Sequence, residues 1–319
     1  MNSNILEIEN LHVHFPIHIG TVRAVENVTL DLNQGEVMGL VGESGCGKST
    51  LGFSILKLLR PPGIIAEGQI RYHGDNIVKM SEKKLLDIRG KRVAMIFQDP
   101  LTSLNPLFRI EDQFVETIQT HENGVSKKEA LERAGDMLKR LGIAPDRLHE
   151  YPHQMSGGMR QRIMIGIALV LNPDLLIADE PTTALDVIVE AQFLDLLNEL
   201  RQQFNLTILL ISHNIGIVAQ MADRVTVMYG GRLAETGSVE AVFADPRHPY
   251  TQGLLTSIPN IKLDQPELHT MPGAPPDLVD PPCGCVFHPR CPRVMDKCRI
   301  EIPPSFNDKS HLAACWLYG

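Results

Sequence analysis

The apolar positions of this chain follow three rhythms. Short unbroken runs are the clearest: GEVMGLVG ending at Gly42, LLIAD ending at Asp179 and LTILLIS ending at Ser212. Runs this short, without polar alternation, are typical of strands buried on both faces of a parallel sheet. Between the last two lies VIVEAQFLDLLNELRQQF, apolar at helical spacing. Strand, helix and strand in that order predict a right-handed βαβ unit. Partial alternation in LEIENLHVHF and AVENVTLDLN predicts paired strands. GQIRYHGD, after a Pro/Gly break, predicts another; KRVAMIFQDP predicts an apolar strand ending in a polar turn, and RVTVMYGGRLAETG a hairpin. From about residue 110 to 141 the pattern is helical and more charged, and HPYTQGLLTSI predicts a last helix. Prolines are then frequent from residue 259 to 304.

Three sites carry chemistry. VGESGCGKST fits G-x-x-x-x-G-K-[ST], the phosphate-binding loop, between a predicted strand and STLGFSILKLLRPP, a predicted helix ending at prolines. Gly42, Gly45 and Gly47 allow backbone N–H groups to curl around phosphate oxygens. Lys48 is expected to reach the phosphates and Ser49 to hold Mg²⁺, with Glu43, Ser44, Cys46 and Thr50 completing the loop. The second site is the strand end at Asp179 and Glu180, where one carboxylate can orient the magnesium shell and the next polarise a water. The third is MSGGMRQR: Ser156 reads as the N-cap of a long helix, and Ser-Gly-Gly leaves N–H groups free for a second anion.

Charge and length change the picture little. The 319 residues carry 30 basic and 38 acidic side chains, a formal net charge of -8, which argues against a general nucleic-acid surface. No run approaches the roughly 18 apolar residues that span a bilayer. MNSNILEIEN lacks the pattern of a secretory signal, so a cytoplasmic protein is expected. Of six cysteines, Cys46 lies in the phosphate loop and five follow Pro282. In a reducing compartment such a cluster points to a metal site rather than to disulfides.

Taken together, GESGCGKST, Gln98 in IFQDP, MSGGMRQR, LLIADEP, TALD and ISH resemble the ATP-binding cassette ATPases, over residues 4–257 and in that family's order. The resemblance implies an α/β P-loop NTPase fold, the ABC nucleotide-binding domain, with an antiparallel β subdomain and a helical subdomain at about 100–165. It implies domains at 1–257 and, as a Cys-rich C-terminal appendage, 258–319. It also implies that two cassettes pair head to tail. Phe15 then stacks on adenine, and Gln98 senses magnesium together with Ser49 and Asp179. Glu180 is the general base and His213 the switch histidine. Ser156, Gly157 and Gly158 reach the partner's γ-phosphate, and Asp186 links the two ATP sites. Met159 stands where the family commonly has glutamine, and Asn214 where it has aspartate. Neither removes a phosphate ligand or the base.

FQDPLTSLNP, MSGGMRQR, HPYTQGLL and the cysteine-rich tail resemble one branch, the dipeptide and oligopeptide importer ATPases, which include nickel uptake systems. In detail the chain is similar to the D-type subunit. That implies two transmembrane permease subunits, a second, F-type ATP-binding subunit and, indirectly, an extracellular solute-binding protein, with this chain peripheral on the cytoplasmic face of the membrane and no nucleic acid bound. The alternative is a soluble cassette ATPase acting on DNA or ribosomes. Such proteins usually carry a coiled-coil insertion or two cassettes, and neither is visible here. Cys285, Cys291, Cys298 and Cys315 are spaced C-x5-C-x6-C-x16-C. The resemblance implies a four-iron, four-sulfur cluster (4Fe-4S) on these thiolates. Their chemistry alone also admits Zn²⁺, with His288 and His311 as alternative ligands and Cys283 as a spare thiol. The phosphate loop is remote from the cysteines in sequence, so ATP binding is expected to be largely indifferent to them.

Overall fold

The computed structural model describes residues 4–98, 104–183, 186–257, 271–308 and 311–319. Packing divides the chain into two compact units, Met1–Lys79 with Leu210–Gly319, and Met80–Leu209. These units do not follow the boundary expected at residue 258.

In the first unit, β1 (Asn4–Ile17) and β2 (Gly20–Asn33) pair antiparallel, and with β4 (Ile64–Tyr72) and β5 (Asp75–Asn76) they form a sheet in the order β2-β1-β4-β5. The alternation in β1 is only partial because the strand bulges. Buried positions step from Ile8 to Leu11, the register with β2 shifts between them, and Asn10 takes a left-handed backbone at φ 46°. The bulge returns Leu11 and Val13 to the core side.

A second set of strands holds the phosphate loop. β3 (Val37–Val41) is fully buried and runs parallel to β9 (Arg224–Tyr229). β9 turns back into β10 (Arg232–Ser238) as the expected hairpin. Beyond β10 lie β12 (His311–Ala313) and then β11 (Phe306–Asp308), both antiparallel. The C-terminal segment therefore supplies strands to this sheet, which is why it does not pack as a separate body. α7 (Ile215–Met221) lies against β3 at Gly39, where any Cβ would collide with Val218. α1 (Lys48–Ile55) follows the phosphate loop but is shorter than STLGFSILKLLRPP suggested. Lys57 turns left-handed at φ 49° and the Leu58 N–H bonds the Phe53 carbonyl, a closure that ends the helix before the prolines.

In the second unit β6 (Val93–Ile96) runs parallel to β7 (Leu175–Asp179), beside a short α2 (Glu82–Leu86). α3 (Ile110–His121), α4 (Lys127–Arg140) and α5 (Gly157–Leu169) bury Phe114, Ile118, Ala134, Leu138 and Ile165. Gly166 lets α5 pack closely, since a Cβ there would lie 2.7 Å from Leu141 and 3.1 Å from Phe114. Arg133 bonds both oxygens of Glu122, at 2.6 and 3.1 Å, and the Val170 carbonyl at 3.2 Å, so one guanidinium ties α3, α4 and the end of α5. α6 (Val187–Phe204) leads to β8 (Thr207–Ser212), a wholly buried strand through which the division between the units passes. The strand–helix–strand order read from the sequence is present.

The hairpin is followed by α8 (Val239–Ala244) and α9 (Pro249–Thr256). His248 caps α9: its Nδ1 accepts the Tyr250 N–H at 3.0 Å, and its backbone N–H donates to Glu235 at 2.8 Å. Burial pushes this imidazole down to about 4 from 6.5. Between those values the unfolded chain takes up a proton that the fold refuses, so stability is full above the higher value and is lost as pH falls toward the lower. The contribution is on the order of 3 kcal/mol. Chemical denaturation from pH 7 to 4 is expected to show the fall, and His248→Asn, which keeps a capping oxygen but does not titrate, is expected to flatten it.

Candidate functional site

The phosphate loop leaves β3 and enters α1 in the first unit, as its spacing required. Gly47 stands at φ 105°, and a Cβ there would strike the Ala24 carbonyl oxygen of β2. No other residue type meets both conditions. Gly45, at φ 78°, has open space around it. Lys48 is 4% exposed, and its ammonium donates to the Gly42 carbonyl at 2.9 Å and the Glu43 carbonyl at 3.0 Å. Burial raises the Cys46 thiol above its usual range, so Cys46 is a packed apolar residue of the loop rather than a nucleophile. Ser49 and Thr50 open α1, half-buried, and Ser44 is exposed. Phe15 lies half-buried near the end of β1, opposite Val22. His213 is exposed after β8, and the Asn214 side chain caps α7 by accepting the Gly216 N–H at 2.9 Å.

The loop has a support that sequence reasoning missed. Arg290 forks onto Glu43, with Nη1 2.7 Å from one carboxylate oxygen and Nη2 3.0 Å from the other. It also donates to the Tyr229 hydroxyl at 3.2 Å and the Pro272 carbonyl at 2.9 Å. The Glu43 N–H in turn donates to the Tyr250 hydroxyl at 2.8 Å. The rings of Tyr229, Tyr250 and Phe287 pack together with centroids 4.5 to 5.5 Å apart. Phe287 and Arg290 belong to the cysteine-bearing segment, so this segment, remote from the phosphate loop in sequence, touches it in the fold. The two partners are 247 residues apart in the chain, and no local signal foretells the contact.

Cys285, Cys291, Cys298 and Cys315 line one small pocket with His288, Met295 and Trp316. The Cys285 N–H donates to the Cys298 carbonyl at 2.8 Å, which holds two of the loops together. Burial pushes the Cys285 thiol up to about 11 and raises Cys291 and Cys315 as well. Cys283 is exposed and lies outside this pocket. His311 does not line this pocket: it is buried with its Nε2 2.7 Å from a Glu235 oxygen. Among the described residues the one group of three metal-ligating atoms within 4.8 Å is His12, His14 and Glu26, whose carboxylate already faces the Arg232 guanidinium at 3.6 Å.

In the second unit Asp179 is buried at the end of β7. Glu180, directly after it, sits left-handed at φ 46°, an unfavourable conformation for a side chain with a Cβ. Its Oε2 accepts from Gln98 Nε2 at 3.0 Å and from the Thr183 hydroxyl at 3.1 Å. The structure thus brings together two residues separated by 82 positions that the sequence had placed in one site. Ser156 caps α5 as expected, its hydroxyl accepting the Met159 N–H at 3.3 Å. Asp186 caps α6 through the Val189 N–H at 2.9 Å. Ser156, Gly157, Gly158 and Asp186 line a single open cavity. Gln161, further along α5, donates from inside the protein to the Pro181 carbonyl, linking that helix to the turn after Glu180. Residues 99–103, 184 and 185, from FQDPLTSLNP and TALD, lie outside the described residues.

Residues 25–183 match the family described as ABC transporter, and residues 234–298 match that described as oligopeptide/dipeptide transporter, C-terminal region. The dipeptide transport ATP-binding protein DppD of Bacillus subtilis (strain 168) is 47% identical over 318 residues, 98% of this chain and 94% of that protein. This chain belongs to the ATP-binding cassette family. The oligopeptide transport ATP-binding protein OppD of the same organism is 45% identical over 99% of the cassette chain and 89% of its own. DppD of Escherichia coli (strain K12) is 45% identical over 94% and 92%. Two solved structures share the cassette fold. A bacterial ABC transporter cassette in dimeric form has a TM-score of 0.65 at 26% identity, covering 73% of this chain and 98% of its own. A cassette from Clostridium perfringens, part of an ABC transporter complex, has a TM-score of 0.66 at 28% identity, covering 77% and 92%.

The backbone at Gly47 yields a direct test. Gly47→Ala forces a Cβ onto the Ala24 carbonyl and disfavours the required φ, at a cost of about 1–3 kcal/mol. Titration with a fluorescent ATP analogue is expected to show affinity down by roughly tenfold or more, since about 1.4 kcal/mol is a factor of ten.

Proposed function

We propose that this cassette is the D-type ATP-hydrolysing subunit of a dipeptide or oligopeptide importer. It sits on the cytoplasmic face of the cell membrane against two permease subunits, and it pairs head to tail with an F-type cassette. An extracellular solute-binding protein selects the peptide and acts on this chain only through the permeases. Support comes from the two family matches and from relatives named for dipeptide and oligopeptide transport along nearly the whole chain. No helix among the described residues is long and apolar enough to cross a membrane, so the spanning role is assigned to partner chains. A soluble ATPase acting on DNA or ribosomes is not favoured by any of these observations.

In this reading the backbone N–H groups of residues 42–50 and the Lys48 ammonium hold the phosphates, and Phe15 stacks on adenine. Ser49, Gln98 and Asp179 would hold Mg²⁺, which would neutralise charge on the phosphate oxygens. Glu180 accepts the proton of the attacking water, and His213 lies beside the γ-phosphate. Ser156, Gly157, Gly158 and Asp186 serve the nucleotide of the paired cassette, which accounts for a capped helix start in a unit that does not contain the phosphate loop. ATP binds the closed pair of cassettes better than the open pair, so binding drives closure and hydrolysis releases it. The single observation that carries the hydrolytic role is Glu180, held by Gln98 and Thr183 directly after a buried aspartate. Glu180→Gln keeps the shape but cannot take a proton. Nucleotide binding is expected to persist while single-turnover hydrolysis at that site falls by roughly a hundredfold or more. Near wild-type turnover in the assembled transporter would rule Glu180 out.

The four tail thiolates are assigned to a four-iron, four-sulfur cluster. Four thiolates suit either that cluster or a single Zn²⁺, and the resemblance of the tail to the importer branch favours the cluster. Its role is structural, since a short Pro-rich segment has little core of its own. Protein prepared without oxygen is expected to contain about four iron and four sulfide per chain. Cys291→Ser is expected to lose both, and Cys283→Ser neither. Stoichiometric zinc without sulfide refutes the cluster.

A further inference from the structure

The Glu43 side chain poses an electrostatic problem that the fold answers in an unexpected place. It puts a carboxylate on the second residue of a loop built to hold a polyanion. Unscreened charges this close act within the roughly 8 Å Debye length of physiological salt. A bare carboxylate here repels the nucleotide that the loop's N–H groups attract. The only group bonded to both of its oxygens among the described contacts is the Arg290 guanidinium, 6% exposed, against 24% exposure for Glu43. Arg290 is itself immobilised by the Pro272 carbonyl and the Tyr229 hydroxyl, with its guanidinium carbon 5.7 Å from the Tyr229 ring centre. The fork sets the direction of the carboxylate against a guanidinium, while the Tyr250 hydroxyl accepts the N–H of the same residue.

We propose that Arg290, outside the phosphate loop and next to Cys291, is a positioning residue for ATP: it neutralises Glu43 and holds it off the triphosphate, making the C-terminal segment part of nucleotide binding. This rests on the reading that residues 42–50 hold the nucleotide. The effect is on binding rather than on the chemical step, because among the described contacts Arg290 bonds no residue assigned to water activation.

The test is fluorescent-ATP titration and steady-state ATPase on the full chain, alone and in the assembled transporter. Arg290→Ala is expected to weaken ATP binding and raise KM by roughly two- to fivefold with kcat little changed, an amount typical of removing one screened charge partner. The loss is expected to shrink between 50 mM and 500 mM KCl. Glu43→Gln placed on Arg290→Ala is expected to recover most of the affinity, because the repelling charge is gone. A loss that neither salt nor Glu43→Gln relieves makes Arg290 a structural anchor only and overturns the proposal, as does wild-type affinity in Arg290→Ala. If Arg290→Ala does not fold, Arg290→Lys carries the test: it keeps the charge but not the fork, and is expected to show a smaller, salt-sensitive loss, with unchanged affinity again overturning the proposal. Lys48→Ala checks the underlying reading separately. If it binds nucleotide as well as wild type, the loop assignment fails and the role of Arg290 falls with it.

Discussion

The site depends first on backbone that only glycine can adopt. At Gly47 the chain must turn left-handed at the start of α1 while passing against the Ala24 carbonyl of β2. That turn aims the N-terminal N–H groups of the helix into the loop and lets Lys48 fold back onto the Gly42 and Glu43 carbonyls. A Cβ at this point disturbs the loop, the helix start and the contact with β2 together. The wholly buried β3, parallel to β9, is the rigid base that makes the turn reproducible.

Around this loop the first unit buries several polar groups that are paired. Lys48, Arg290, His248 and Glu235 are all nearly or fully buried, and each has partners. Such groups are costly unless paired, and their pairing ties distant parts of the chain into one arrangement. Glu235 receives the N–H groups of Arg247 and His248 and faces the ring of His311, so one carboxylate joins β10, the start of α9 and β12. The aromatic contacts of Tyr229, Tyr250 and Phe287 close the same junction with apolar surface. The cysteine-bearing segment is thus held by two strands, an aromatic cluster and a bidentate ion pair, even before any metal is considered.

The second unit shows a different economy. Its helices rest on close packing at Gly166 and on the Arg133–Glu122 fork, and its chemistry sits at helix and strand ends. Glu180 accepts an unfavourable backbone conformation, which persists because Gln98, Thr183 and the Gln161–Pro181 contact hold its surroundings. Strain of this kind at a carboxylate beside a buried aspartate fits a residue selected for where it points.

The sequence by itself determined whatever is local. Unbroken apolar runs specified β3, β7 and β8. Loop spacing specified the turn at Gly47, and Ser156 declared itself a cap because N-cap chemistry involves only the next three residues. The match of several motifs in order identified the cassette family. Partial alternation in β1 was also visible, although the bulge at Asn10 that explains it was not. The length of α1 was misjudged, because a left-handed Lys57 rather than the prolines ends it. Only the tertiary structure decided that the C-terminal segment shares a sheet with the phosphate-loop strands, that His311 pairs with Glu235, and that Arg290 grips Glu43. The physical reason is the same in each case. These are pairings between groups tens to hundreds of residues apart, set by which faces come together when the sheets close, and nothing in the residues flanking Glu43 or Arg290 encodes the other's position.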